Sequence, residues 1–151
     1  MSTQVVKLDA KAGAEVYHGS EICWQKVLEL VQEMGLPRGL LPLEGIEECG
    51  FVRETGFVWV KRKKKYEYLY KTTGILSSYA PEISAYVEKG KMKKITGVKA
   101  KDFHIWFGLN EMRIDDTASG MIYVKTSIGV GKNVPIQSYE EEYDKYMVQT
   151  A

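Results

Sequence analysis

The sequence predicts a mainly β domain in which a barrel or a strongly curved antiparallel sheet carries one helical lid. Two observations predict this class. A single segment near the N-terminus has the apolar spacing of a helix, and almost everything from residue 46 onward divides into short strands separated by Gly, Pro, Asn or Asp. One helix with an apolar face and many antiparallel strands are typical of a capped sheet.

The helical segment is SEICWQKVLELVQEMG, residues 20–35. Ser20 is a suitable N-cap, and Gly35 offers a left-handed stop before Pro37. Apolar residues recur every three or four positions, which predicts a stripe that packs on the sheet. The stripe consists of Cys23, Val27, Leu30, Val31 and Met34.

Strands are predicted after the helix from alternating apolar residues bounded by turn signals. They lie near residues 46–53, 57–62, 66–72, 82–89, 91–96, 103–114, 120–128 and 132–137. Tight connections are expected at residues 54–56, 89–90 and 115–120. The later segment SYEEEYDKY predicts a short C-terminal helix, with Ser138 and Glu141 as a capping box.

The stretch WVKRKKKYEYLY, residues 59–70, places five basic residues between two aromatic runs. If residues 62–65 form a four-residue hairpin loop, Trp59 pairs with Tyr68, and Tyr70 lies on the same face. A three-residue loop would scatter the aromatic side chains to both faces. We therefore predict a hairpin with an aromatic face and a basic tip.

Length and composition indicate one globular domain. The chain has 151 residues, an apolar fraction of 44% and a net charge of +1. We expect a flexible N-terminal segment at residues 1–17, a helix-capped β domain at residues 18–140 and a C-terminal tail at residues 141–151. Residues 61–101 hold twelve Lys or Arg against three Asp or Glu, so a locally positive face is expected despite the neutral total.

Six segments together resemble a plant family of domains of unknown function, DUF538. They are LPRGLLP, RETGFVWV, TTGIL, EKGKMKKITGVKAKDFHIWF, EMRIDD and MIYVKTSIG. The resemblance implies an antiparallel pseudo-β-barrel capped by one N-terminal α-helix. It also implies two functional ideas, namely binding of lipid-like molecules and binding or hydrolysis of chlorophyll. The family supplies no catalytic residues that could be carried over to this chain.

The first functional hypothesis is a binding protein that is not an enzyme. It would hold a small apolar ligand, a lipid or a tetrapyrrole such as chlorophyll, between the helix and the aromatic strands. Five side chains are expected to line this ligand site because they combine flat apolar surface with polar tips. They are Trp59, Tyr68, Tyr70, His104 and Trp106. A protein-interaction module with a filled core is an alternative, since side chains usually fill small barrels.

An ester hydrolase that acts on such a ligand is the other alternative. His104 would be the base, and the nucleophile would be Cys49 or one of Ser77, Ser78 and Ser84. The chain has no Gly-x-Ser-x-Gly segment, which speaks against a nucleophile elbow. Two histidines and two cysteines without ligand spacing predict neither a metal site nor a cofactor.

The basic residues are expected to contact an anionic membrane surface weakly, if they contact a polyanion at all. They are Lys61, Arg62, Lys63, Lys64, Lys65, Lys91, Lys93 and Lys94. A pI of about 7.7 and the use of the aromatics on sheet faces speak against nucleic acid as a partner. The first residues show no signal region, and free thiols suit a reducing compartment, so a cytoplasmic location is expected, with the nucleus left open.

Overall fold

The described residues form a single antiparallel sheet of nine strands, accompanied by two α-helices. The computed structural model describes residues 9–41 and 44–150 and, within the last helix, the side chains of residues 137–141, 143 and 144. The elements in chain order are β1 Glu15–His18, α1 Ser20–Glu33, β2 Ile46–Val52, β3 Phe57–Arg62, β4 Tyr66–Leu69, β5 Leu76–Glu88, β6 Lys91–Asp102, β7 Ile105–Arg113, a 3-10 turn Thr117–Ser119, β8 Met121–Thr126, β9 Gly131–Pro135 and α2 Gln137–Thr150.

The strand order is β1, β2, β3, β5, β6, β7, β8, β9, with β4 paired separately to β5. The predicted class, mainly β with an N-terminal helix, is confirmed. In the part of the chain that the structure describes, β1 and β9 end the main strand order and do not pair with each other, so the sheet is curved but not closed into a barrel.

Helix α1 packs on β2 with the predicted apolar stripe. Cys23, Val27, Leu30 and Val31 are all buried. The predicted stop is also confirmed, because Gly35 has a left-handed φ of 71° and Leu36 N–H donates to the Val31 carbonyl at 2.8 Å. The predicted N-cap is wrong by one residue. Gly19 occupies that position at φ 105°, without a side-chain cap.

The predicted hairpin of β3 with β4 is wrong. Both strands pair with β5 instead: β4 lies along Leu76 to Tyr79, and β3 lies along Glu82 to Tyr86. Since both run antiparallel to β5, they follow the same edge in the same direction. Residues 63–65 therefore connect two consecutive segments of one edge and do not reverse the chain.

Trp59 consequently has different neighbours from those predicted. It is paired with Gly50 on β2 and Ser84 on β5, and it is only 2% exposed. The indole ring lies directly over Gly50, where any side chain would overlap the ring atoms. Its N–H donates to Glu48 at 2.8 Å, and this hydrogen bond is the main reason that the Glu48 pKa is lowered.

Strands β6 to β9 curl strongly toward one another. Lys132 on β9 lies 2.9 Å from Asp102 on β6, although β7 and β8 separate the two strands. Three strand spacings in a flat sheet would hold β6 and β9 about 14 Å apart. The ion pair therefore spans the mouth of a concave face.

Helix α2 closes one end of that concave face. Tyr139 is buried, with its ring 5.5 Å from the ring of Tyr70. The helix backbone lies so close to Gly39 that a side chain there would overlap the Tyr139 carbonyl. The predicted capping box is wrong, since the Ser138 hydroxyl donates to the Pro135 carbonyl.

Glu141 joins α2 to the connection that follows β4. Its carboxylate accepts hydrogen bonds from the Tyr68 hydroxyl, the Lys71 N–H, and the N–H and hydroxyl of Thr72. Burial alone would raise the Glu141 pKa, but these donors, beginning with the Lys71 N–H, lower it below the usual range. The charged form of the Glu141 carboxylate thus holds α2 against residues 68–72.

The two terminal segments differ in how much of them is described. Residues 1–8 of the predicted flexible segment lie outside the described residues, whereas residues 15–18 form the edge strand β1. Lys11 also contacts the Trp59 ring, with its ammonium 4.5 Å from the centroid. The predicted domain boundaries remain predictions, with helix α2 running through residue 150.

We predict that Glu141→Gln lowers the free energy of unfolding by about 1 kcal/mol at neutral pH, because the amide cannot accept all four hydrogen bonds. The carboxyl pKa is lower in the folded state, so this contribution is complete above the ordinary pKa of about 4.3 and disappears as the pH falls through the folded value. Urea unfolding at a series of pH values measures the difference.

Glu88→Gln is the matched control, since Glu88 carries the same charge in an exposed ion pair with Lys93 at 3.4 Å. It should change stability little at any pH. A Glu141→Gln effect that persists unchanged at acid pH would contradict the role assigned to the carboxylate.

Candidate functional site

A cavity of about 400 Å³ lies inside the curl of strands β6 to β9. Apolar side chains of those strands form its floor, and Tyr70, Ile75 and Ser77 form one wall. Tyr139, from the first turn of α2, closes an end. The floor residues are Ala100, Phe107, Leu109, Val124 and Val134. The volume and the apolar lining are typical of sites that hold small molecules.

Most of the cavity lining is apolar, and Ser77 is a buried residue that contributes a hydroxyl to it. Its side chain is 6% exposed, and its hydroxyl makes no hydrogen bond to another described residue. The Ser138 hydroxyl is satisfied by the Pro135 carbonyl at 2.8 Å. Ser77 therefore offers a hydrogen-bonding group to anything that occupies the cavity.

Two hairpin turns and an ion pair surround the mouth. Phe103 belongs to the turn between β6 and β7, and Val130 belongs to the turn between β8 and β9. They are 85% and 61% exposed, so they belong to the lining and to the outer surface together. The ion pair of Lys132 with Asp102 crosses the same opening and gives it a polar edge.

The structure does not bring the five predicted ligand residues together. Tyr70 lines the cavity, and the Tyr68 ring packs edge-on against the Tyr70 ring, with the two centroids 4.8 Å apart. Trp59 is enclosed on the other face of the sheet, over Gly50. His104 stands exposed at the tip of the turn between β6 and β7, and Trp106 is 40% exposed on the outer face beside Lys101.

The space under α1 is much smaller than the ligand hypothesis expected. A cleft of about 80 Å³ remains between α1 and strands β1 to β3. The larger cavity lies toward the opposite edge of the sheet and is covered by α2. The ligand hypothesis therefore keeps an apolar cavity but moves it from the N-terminal helix to the C-terminal one.

The predicted catalytic candidates are also apart from one another. Cys49 is buried under α1, and burial raises the pKa of its thiol to about 12, which disfavours the nucleophilic thiolate. The Ser84 hydroxyl is 2.6 Å from that of Thr96. Ser77 lines the cavity, Ser78 follows it on the opposite face of β5, and His104 does not line the cavity.

Of the eight basic residues, Arg62, Lys63, Lys64 and Lys65 line an open groove beside the start of α1. Several ammonium groups of the eight residues lie near carboxylates. The distances are 3.7 Å for Lys61 and Glu48, 3.8 Å for Lys63 and Glu47, 3.3 Å for Lys65 and Glu67, and 3.4 Å for Lys93 and Glu88. The Arg62 guanidinium stacks on Tyr66, and the Lys94 ammonium lies over Tyr86. Lys64 belongs to the lining of the groove, and Lys91 is the first residue of β6.

Sequence reasoning missed most of the floor of the cavity. Phe107 and Leu109 belong to the predicted strand at residues 103–114, but the predicted ligand set takes His104 and Trp106 from that strand instead. Alternation along the strand shows that Phe107 and Leu109 share a face but does not show that this face is the concave one.

Comparisons with known proteins give a family and no function. A family model described as "Protein of unknown function, DUF538" matches residues 27–140. The search of curated proteins and the search of solved structures each found no match. Among the described residues, no helix is long and apolar enough to cross a membrane. The matched segment covers most of the chain and nearly all of the sheet, so the protein belongs to the DUF538 family.

Proposed function

We propose that this protein binds a small apolar molecule of the lipid class in the cavity between strands β6 to β9 and helix α2. The observation that carries the proposal is the cavity itself, about 400 Å³ of mostly apolar lining in a domain of this size. The apolar lining gains favourable free energy when an apolar molecule removes it from water.

The polar groups fit an amphiphilic ligand. Ser77 can bond one polar atom inside the cavity, and Lys132 at the mouth can exchange Asp102 for an acidic headgroup. An apolar chain with a carboxylate or phosphate at one end would satisfy both positions. The charged end would then remain near water, which avoids the cost of burying it.

A lipid fits better than a metallated tetrapyrrole. Of the described residues that line the cavity, none is His, Cys or Met, the usual side-chain ligands for the metal of such a ring. The oxygen groups of the lining are the hydroxyls of Tyr, Ser and Thr residues and the Asp102 carboxylate, and Asp102 is already paired with Lys132. The tetrapyrrole becomes an outcome that the binding experiment distinguishes.

We further propose that the protein works in a reducing compartment such as the cytosol. Cys23 and Cys49 are both free and buried, although the Cys49 sulfur lies within 4.0 Å of the Cys23 carbonyl oxygen. Neighbouring thiols that stay unpaired suit such a compartment.

We predict that Ala100→Phe weakens binding of a fluorescent fatty acid by at least about tenfold, a loss of roughly 1.4 kcal/mol. Ala100 lies on the cavity floor between Ser77 and Phe107, so a phenyl ring there would occupy the ligand volume. A fluorescence titration measures the change, and circular dichroism checks that the fold is retained.

Glu88→Phe is the matched control, since it adds the same ring at an exposed strand position outside the cavity. It should leave the affinity unchanged. Equal weakening by both variants, or no saturable binding to the wild-type protein, would contradict the proposal. Preference for a porphyrin over the fatty acid would replace the lipid class with the tetrapyrrole class.

We predict that Ser77→Ala and Ser138→Ala separate ligand binding from folding. The Ser77 hydroxyl makes no hydrogen bond to another described residue, so its removal should leave stability unchanged and weaken binding of a fatty acid by roughly fivefold. Loss of the Ser138 hydroxyl removes its bond to Pro135 and should cost about 1 kcal/mol of stability. Fatty-acid titration and urea unfolding of both variants measure the two effects.

The same titration with a plain hydrocarbon probe is the internal control, because a hydrocarbon cannot use the Ser77 hydroxyl. Its affinity should not change in Ser77→Ala. If Ser77→Ala destabilises the protein as much as Ser138→Ala, the hydroxyl serves the fold and the assigned ligand contact is wrong.

A further inference from the structure

Exposed apolar side chains are concentrated at one end of the sheet. Of the eight large apolar residues exposed among the described residues, six lie there, whereas Val16 and Ile22 lie near β1 and the start of α1. We call these six the apolar tip: Leu69, Phe103, Ile105, Trp106, Ile128 and Val130. Surface apolar residues scattered singly are ordinary, but a contiguous group indicates contact with an apolar partner.

The strand register explains how distant parts of the chain meet at this end. Leu69 pairs with Leu76, Leu76 with Lys101, and Lys101 with Trp106, so the four residues form one row across β4 to β7. The turn after β8 is held beside the same row, because Ser127 N–H donates to the Gly108 carbonyl at 2.9 Å. The tip is therefore one surface.

Phe103 lies in the turn between β6 and β7, where the requirements of the fold do not explain an apolar side chain. Phe103 and His104 both have left-handed backbones, with φ of 53° and 64°. Two-residue hairpin turns of this conformation strongly favour Asn and Gly, and a bulky residue there is strained. Phe103 is nevertheless 85% exposed, so burial in this chain does not offset the strain.

Positive charge lies directly behind the tip. Lys99 and Lys101 follow each other on the outer face of β6, and Lys125 lies near the end of β8. The acidic side chains nearby have other partners. Asp102 pairs with Lys132, Glu67 pairs with Lys65, and Glu111, which lies opposite Lys125 in the register of β7 with β8, pairs with Arg113 at 2.9 Å. Apolar residues in front of lysines match the layers of an anionic bilayer, in which acyl chains lie beneath charged headgroups.

We propose that the apolar tip inserts into the surface of an anionic lipid bilayer, with Lys99, Lys101 and Lys125 at the headgroups. This site differs from the basic residues 61–65, which lack an apolar anchor of this kind. Phe103 and Val130 also line the cavity, so docking would turn the mouth of the cavity toward the bilayer. A lipid could then move between the bilayer and the cavity. That last step rests on the proposed function, whereas docking does not.

Flotation with vesicles tests the docking. The probe is a vesicle of phosphatidylcholine mixed with phosphatidylserine, compared with one of phosphatidylcholine alone. Ile105→Thr combined with Ile128→Asn removes two exposed tip residues that do not line the cavity. We expect the wild-type protein to float with the anionic vesicles, and the double variant to bind them roughly tenfold more weakly.

Two controls make the result specific. Val16→Asn removes an exposed apolar residue far from the tip and should bind vesicles like the wild type. Neutralising Lys63, Lys64 and Lys65 to Gln should also have little effect. Wild-type protein that fails to float, a double variant that floats equally well, or a loss caused by the lysine changes alone would overturn the proposal.

The fatty-acid titration on the same double variant separates the two proposals. Unchanged fatty-acid affinity together with lost flotation supports a docking surface distinct from the cavity. Flotation of a wild-type protein that binds no fatty acid would uphold docking while the proposed function fails. Loss of both activities, with altered circular dichroism, would show that the tip residues serve the fold and would overturn the docking surface.

Discussion

The bend in β5 determines which strands lie beside it and where the sheet curls. The register of β5 with β6 shifts between Tyr79 and Ser84, around Pro81, which cannot donate a ladder hydrogen bond. Opposite the bend, Gly97 has φ 84° and lies so close to the Glu82 carbonyl that any side chain would overlap it. The two strands can stay together through the bend because residue 97 is glycine.

The bend divides the sheet into two working parts. Beyond it, β5 pairs with β3 in the part that α1 covers, and this part is filled by Cys23, Val31 and their neighbours. Before it, β5 pairs with β4 and forms a wall of the cavity with Tyr70 and Ser77. The part of the sheet under α1 is therefore packed and stabilises the fold, whereas the part on the other side of the bend curls around the cavity.

Local chemistry was predictable from the sequence, and long-range pairing was not. The apolar stripe and the Gly35 stop of α1 depend on neighbouring residues, so the pattern predicted both correctly. The hairpin of residues 57–69 failed because two strands joined by a short polar connection usually pair with each other. Here the bend in β5, set by contacts between residues distant in sequence, gave each strand a separate partner.

The candidate site shows the same division. A flat apolar ligand site built from aromatic residues was predicted, and Tyr70 does line a cavity. Trp59 was assigned to it because period-two alternation shows which residues share a face but not which face is concave. Only the curl of β6 to β9 and the docking of α2 decide that, and both depend on contacts such as Lys132 with Asp102 and Glu141 with Thr72.

A methyl NMR titration with a fatty acid tests whether the cavity takes an apolar ligand. We expect saturable shifts at Ile75, Leu109, Val124 and Val134, which line the cavity. We expect little change at Val27 and Val31, which pack beneath α1. Shifts confined to the α1 side, or no saturable shifts anywhere, would show that the cavity does not bind such a ligand.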